Sequence, residues 1–290
     1  MYHKLKIKVM KKNLLTISLI LSAFSLHLMA NTEPLFKDKT PVFQIKKKNT
    51  FTKDEEPVKS PKNVIKLNLS QLALTNISLQ YERSFHKNFS AALGVSYLIP
   101  RQIPSQIFTP SVNGEGYQLP KFGGWAITPE IRFYPGKKVK HKAPHGFYMA
   151  PYFRYAKYTL NSDYVDVDSI TGVKHNYTVK ANYSGFTAGL MLGSQWLIGK
   201  HFSIDWWIVG GGYGSAKFKI FAEDADGTIN MSPQEQENLK QDIKSNTGEL
   251  GSFGKGEVSV ETTSNSATTT VSGLPMISLR GFGLTLGFTF

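Results

Sequence analysis

The sequence predicts an all-β fold, one eight-stranded antiparallel up-and-down barrel over residues 63–290, and three observations predict it. From Asn63 onward apolar residues recur at every second position, which is the period of a strand and not of a helix. One face of that repeat is bulky and apolar, whereas the other is small or polar. The connections are short at one end of the strands and long at the other, the habit of barrels that cross an outer membrane.

The strands are expected at 64–72, 77–86, 89–99, 125–134, 146–158, 182–198, 202–214 and 276–290. The first places Ile65, Leu67 and Leu69 on one face. The second follows with Ile77, Leu79, Tyr81 and Phe85, and the third with Phe89, Leu93, Val95 and Tyr97. The fourth contributes Trp125, Ile127, Ile131 and Phe133, and the fifth Phe147, Met149, Phe153 and Tyr155. The sixth contributes Phe186, Leu190, Leu192 and Trp196, and the seventh Phe202, Ile204, Trp206 and Ile208. The eighth ends the chain with Phe282, Leu284, Leu286, Phe288 and Phe290. Short turns are expected at 86–88, 135–145 and 198–201, and at 73–76 on the opposite end. Long loops are expected at 100–124, 159–181 and 215–275.

Parity alone does not say which face is inside; volume does. An eight-stranded interior is only just wide enough for side chains to fill it. It accommodates Ser90, Ala92, Gly94, Gly189, Gly193, Gly283 and Gly287, but not the bulky set. The large residues therefore point outward, and lipid is the surrounding that tolerates so much exposed apolar surface.

The same count turns six charges inward: Lys66, Glu82, Glu130, Arg132, Arg154 and Asp205. Three are basic and three acidic. Buried charge is costly unless paired, so a hydrogen-bonded polar plug is expected, completed by Asn68, Gln80, Tyr152 and Gln195. A polar pore or a buried catalytic set is the competing reading. Arg83 falls on the apolar face, near the short-turn end, where its long side chain reaches water.

Residues 1–30 carry five lysines and no acid, with an apolar run from Leu14 to Leu28 that ends at Ala30. That pattern predicts a secretory signal peptide, with Met10 as an alternative start. Residues 31–62 are polar, lysine-rich and broken by Pro34, Pro41, Pro57 and Pro61, so they read as a disordered periplasmic tether. Without the signal the chain has 29 basic and 21 acidic residues, a net charge of +8. The 135–146 turn holds Lys137, Lys138, Lys140 and Lys142 and no acid, whereas the last long loop holds nine acids and five lysines. Basic turns inside and acidic loops outside give the barrel a polarity. There is no cysteine, which excludes disulfides, thiolate metal sites and a lipid-modified N-terminal cysteine.

Within the last loop, Ser232-Pro-Gln-Glu235 has the form of a helix start running to about Lys244, and 257–271 alternates as a hairpin. Chemistry is sparse. Asp163, Asp166 and Asp168, and Asp224 with Asp226, lack the full calcium-loop spacing. His86, His145 and His201 fall at turns, and His141 within one. His175 falls in a loop near Ser169 and Asp168. No catalytic residue, cofactor or metal is expected.

The final stretch, Gly281-Phe-Gly-Leu-Thr-Leu-Gly-Phe-Thr-Phe290, resembles the terminal signal read by the outer-membrane assembly machinery. Four further stretches resemble a family of small outer-membrane barrels of unassigned function, common in Bacteroidetes and of OmpA/OmpX-like eight-stranded architecture. They are Asn63-Val-Ile-Lys-Leu-Asn-Leu, Ile77-Ser-Leu-Gln-Tyr-Glu-Arg-Ser-Phe, Pro129-Glu-Ile-Arg-Phe-Tyr-Pro-Gly-Lys-Lys138 and Gly146-Phe-Tyr-Met-Ala-Pro-Tyr-Phe-Arg-Tyr155. The resemblance implies a Gram-negative outer-membrane location and no assigned reaction. The expectation is a non-enzymatic envelope or surface-interaction barrel. Its partners are outer-membrane lipid, the assembly machinery and an extracellular ligand taken by the long loops. Nucleic acid is not expected, and the barrel is expected as a monomer. The alternatives are a membrane-embedded hydrolase of lipid or peptide, or a narrow channel or small-ligand carrier.

Overall fold

The computed structural model describes residues 61–103, 119–135, 143–167, 174–252 and 256–290. The signal, nearly all of the tether, most of the 100–124 loop, the four turn lysines, His141, Asp168 and Ser169 lie outside those residues. Ten strands follow in order: β1 (Asn63–Asn68), β2 (Asn76–His86), β3 (Phe89–Gln102), β4 (Lys121–Phe133), β5 (Gly146–Val167), β6 (Lys174–Ile198), β7 (Phe202–Asp224), β8 (Glu257–Thr262), β9 (Ser266–Arg280) and β10 (Gly283–Thr289). Two helices are present among the described residues, α1 (Leu69–Ala73) and α2 (Pro233–Ser252).

Strands β1 to β7 pair in sequence order, each antiparallel to the next, and β10 pairs with both β7 and β1. The result is a closed ring of eight strands. At its turn end Asn63 and Phe290 exchange backbone hydrogen bonds of 3.1 and 3.0 Å. The turns there are tight: Lys87-Asn88 joins β2 to β3. Gly199, with φ of 63°, opens the turn from β6 to β7, where a side chain at Cβ is strained.

The large residues of the ring point outward. Ile65, Leu79, Val95, Ile131, Phe153, Leu190, Leu286 and Phe288 all face outward and exposed, while Ser90, Ala92, Thr187, Ser203 and Thr285 are buried inside. Glycine makes room where the interior is fullest. A Cβ at Gly283 would overlap the Trp207 indole, and one at Gly193 would overlap the Tyr148 hydroxyl.

Three expectations need correction. The first strand stops at Asn68 and not at residue 72. Leu69-Ser-Gln-Leu-Ala73 forms α1, because the Asn68 side chain accepts a hydrogen bond from the Gln71 amide (2.9 Å) and caps a helix there. The eighth strand is broken at Gly281-Phe282, opposite the point where β7 carries one residue more than β6 (Leu192 pairs with Val209 and Gly193 with Trp207), so that Ile208 and Val209 both face outward.

The third correction is the largest. The long loop after the fifth strand is mostly strand, and the one after the seventh is divided between strand and helix. β5, β6, β7 and β9 run on past the ring, and β8 pairs with β9 to extend the sheet. In this extension the pattern inverts. Leu160, Tyr177, Val179, Ala181, Phe218, Ile220 and Ala222 are buried on the inward face, together with Leu239 and Ile243 of α2. Lys157, Lys180, Lys217 and Lys219 face outward and exposed. The extension is thus an ordinary cap with an apolar inside, built on a ring with an apolar outside. The helix and hairpin expected in the last loop are present. Ser232 and Glu235 form a reciprocal cap, with Glu235 accepting from the Ser232 amide at 2.9 Å.

Candidate functional site

The strand period that turns bulky residues outward turns five charges into one cluster. Lys66 (β1), Glu82 (β2), Glu130 and Arg132 (β4) and Asp205 (β7) have side chains with no exposed surface. Lys66 Nζ donates to Glu82, to Asp205 Oδ2 at 2.6 Å and to Gln195 Oε1 at 2.8 Å, which uses all three ammonium protons. Arg132 spreads its guanidinium over Asp205 (2.6 Å), Glu130 (2.9 Å) and Gln80 (2.9 Å). Tyr134 donates to Glu82 at 2.7 Å and Tyr148 to Asp205 at 2.8 Å, while the Arg132 guanidinium lies 4.4 Å from the Tyr148 ring centroid.

The arrangement obeys the electrostatics of a dry interior. Each carboxylate meets at least one cation and one further donor, so its lone pairs are occupied. Because the groups come from strands on opposite sides of the ring, the network ties the wall together across its diameter.

Of the six expected plug residues, five meet in this network. Arg154 does not. It donates to Thr128 at 3.1 Å and to Tyr158 at 3.5 Å and pairs with no carboxylate among the described residues. The missed member is Arg280, which binds Glu130 at 3.0 Å and lies over the Trp207 and Tyr152 rings at 5.0 and 5.3 Å. Strand parity counted back from Phe282 points Arg280 outward. The break at Gly281-Phe282 reverses that parity.

Beside the network lies a small, partly open cavity of about 20 Å³. Asn68, Gln80, Thr128, Glu130, Arg154 and Arg280 are among its walls.

The remaining candidate groups are used locally. His86 and His145 accept backbone amides of Asn88 and Leu197, and His201 stacks on Phe288. His175 meets the Thr228 hydroxyl at 3.1 Å, and that hydroxyl donates to Asp224 at 3.0 Å. Asp226 accepts two hydrogen bonds from Asn176, at 2.6 and 3.0 Å, and these lower its pKa from the ordinary value. Of the terminal residues, Leu284, Leu286 and Phe288 lie on the outward face of β10, and Phe282 and Phe290, on either side of it, are exposed.

Fold and interior together define an antiparallel ring protein whose lumen is filled by an ion network. The chain belongs to the family described as protein of unknown function (DUF3575), whose model matches residues 50–240. No curated protein and no solved structure matches it.

Proposed function

We propose that this chain is a non-enzymatic integral outer-membrane β-barrel of OmpA/OmpX-like architecture. Its lumen is plugged, and its cap faces the cell exterior for an envelope or surface-interaction role. The observation that carries the reading is the inversion of the apolar face where ring becomes cap. Below that level Phe147, Phe153, Phe186, Leu190 and Trp196 lie exposed on the outside. Above it the outward positions are Lys157, Lys180, Lys217 and Lys219, and the apolar residues turn in. A ring in water gains nothing from such a switch, whereas one crossing hydrocarbon requires it.

The dimensions agree. At about 3.3 Å per residue and a tilt of about 40°, the apolar stretches 147–155 and 186–198 average on the order of 25 Å in height, that of an outer-membrane apolar band. The outward phenylalanines near Phe290 suit recognition by the assembly machinery. The plug supports a structural role over conduction, because its groups are bonded to one another.

Fractionation followed by electrophoresis with and without boiling tests the reading. An outer-membrane band whose mobility changes on boiling is expected. A soluble periplasmic band with one mobility would refute it.

A further inference from the structure

We propose that the cavity beside the ion network binds a small oxyanion, a carboxylate or phosphate group, on Arg154. Inside the ring the described residues place four cations, Lys66, Arg132, Arg154 and Arg280, against three carboxylates, Glu82, Glu130 and Asp205. Lys66, Arg132 and Arg280 each contact at least one of those carboxylates. Arg154 is left with two neutral hydroxyl partners, although a guanidinium carries five N–H donors in a planar fork that suits a two-oxygen anion.

The second observation is independent. Asn68 is 2% exposed and lines the same cavity, and its Nδ2 has no partner. Its orientation is settled by the helix cap, because Oδ1 accepts from the Gln71 amide. The unpartnered group of this cavity-lining residue is therefore an N–H donor. A buried orphan donor and an unpaired guanidinium in one cavity call for an acceptor carrying negative charge.

Access has a structural basis. Where β1 gives way to α1 the ring wall loses its regular pairing: β9 beyond residue 272 is bonded to β7 on one edge and to no described strand on the other. The cavity, walled partly by Asn68 and Gln71, adjoins that interruption. A free solute and a lipid headgroup both offer the required chemistry. The inference rests on the interior of the ring and not on where the ring resides, so it survives a failure of the membrane reading.

The test uses the full chain folded in zwitterionic detergent. Sodium phosphate or sodium acetate replaces sodium chloride at fixed ionic strength, and thermal unfolding is followed. A rise in the unfolding midpoint of about 2–4 °C is expected. Arg154→Met should lose the rise, and Lys219→Gln should keep it. Thr128→Asp sets a carboxylate beside Arg154; it should be more stable in chloride and no longer respond to phosphate or acetate. A response only to phosphatidylglycerol over phosphatidylcholine, lost in Arg154→Met, assigns the site to a headgroup. No response to any of the three probes, or an equal response in Arg154→Met, overturns the proposal.

Discussion

Arg132 on β4 and Asp205 on β7 meet at 2.6 Å inside the ring, both without exposed surface. Asp205 also receives Lys66 and Tyr148, so one carboxylate joins four strands or their ends. Removing it leaves two buried cations short of a partner. Asp205→Ala is therefore expected to destabilise the folded ring by about 3–5 kcal/mol. Glu237→Ala, which breaks a surface pair with Lys240 on α2, should leave stability unchanged. Urea unfolding of the two variants side by side checks the contrast. Equal midpoints would mean that the network does not hold the wall.

The glycines that face the plug are a second test, because they act by shape alone. Gly193→Ala drives a methyl into Tyr148, whose hydroxyl serves Asp205. Overpacking of this kind costs about 1–3 kcal/mol. Gly211, exposed and with nothing near its missing Cβ, is the control, and Gly211→Ala should be neutral. The temperature at which the unboiled band converts to the boiled one reads both. A neutral Gly193→Ala would show that the interior has slack.

These contacts also show how far the sequence carries. Lys66, Glu82, Glu130, Arg132 and Asp205 could be assigned to one interior because period two fixes a side once a strand is located. The outward set followed from volume, which needs no coordinates. Arg280 escaped because two residues, Gly281 and Phe282, reset the parity, and nothing local announces a bulge whose partner is Ile208-Val209 on another strand. The strand extensions that build the cap escaped for a different reason. Phe218, Ile220 and Ala222 alternate with Lys217 and Lys219 as cleanly as any ring strand, but with the faces exchanged. Arg154 was assigned to the correct face but wrongly to the network, because parity gives a side and not a height.

The outward band gives a prediction with opposite outcomes in lipid and in water. Leu190 lies exposed in the middle of the β6 apolar stretch. If hydrocarbon surrounds it, Leu190→Lys destabilises the protein in vesicles by about 2–4 kcal/mol. In a soluble ring the same change raises solubility and leaves stability alone. Equilibrium unfolding in vesicles, beside a sedimentation assay without lipid, separates the two.

The turn after β7 carries a pH signal. Asn176 donates its backbone and side-chain N–H groups to Asp226, and these bonds hold the carboxyl below its ordinary pKa. A depressed folded pKa stabilises the turn above the unfolded carboxylate range, near pH 4, and that contribution is lost as pH falls through the folded value. The Asn176 amide resonance should therefore move with a midpoint below pH 4. Asp226→Asn should abolish the transition. A midpoint at the ordinary value, or above it, would show that the two bonds do not persist in solution.

Ring and cap should be separable in stability, because their cores are distinct. Leu239 is fully buried on α2 among Tyr177, Phe218, Ile220 and Val260, and none of these belongs to the plug cluster of Tyr134, Tyr148, Tyr152 and Trp207. Leu239→Ala should remove about 2–5 kcal/mol from the cap. Among the described residues from β1 to β4, only Phe122 and Ile103, the residue just past β3, pack against that cluster. Hydrogen exchange of α2, β8 and the far ends of β6 and β7 should then quicken together, while amides of Lys66, Glu82 and Arg132 keep their protection. Loss of both at once would mean that the cap is part of what closes the ring, and the two would have to be treated as one cooperative unit.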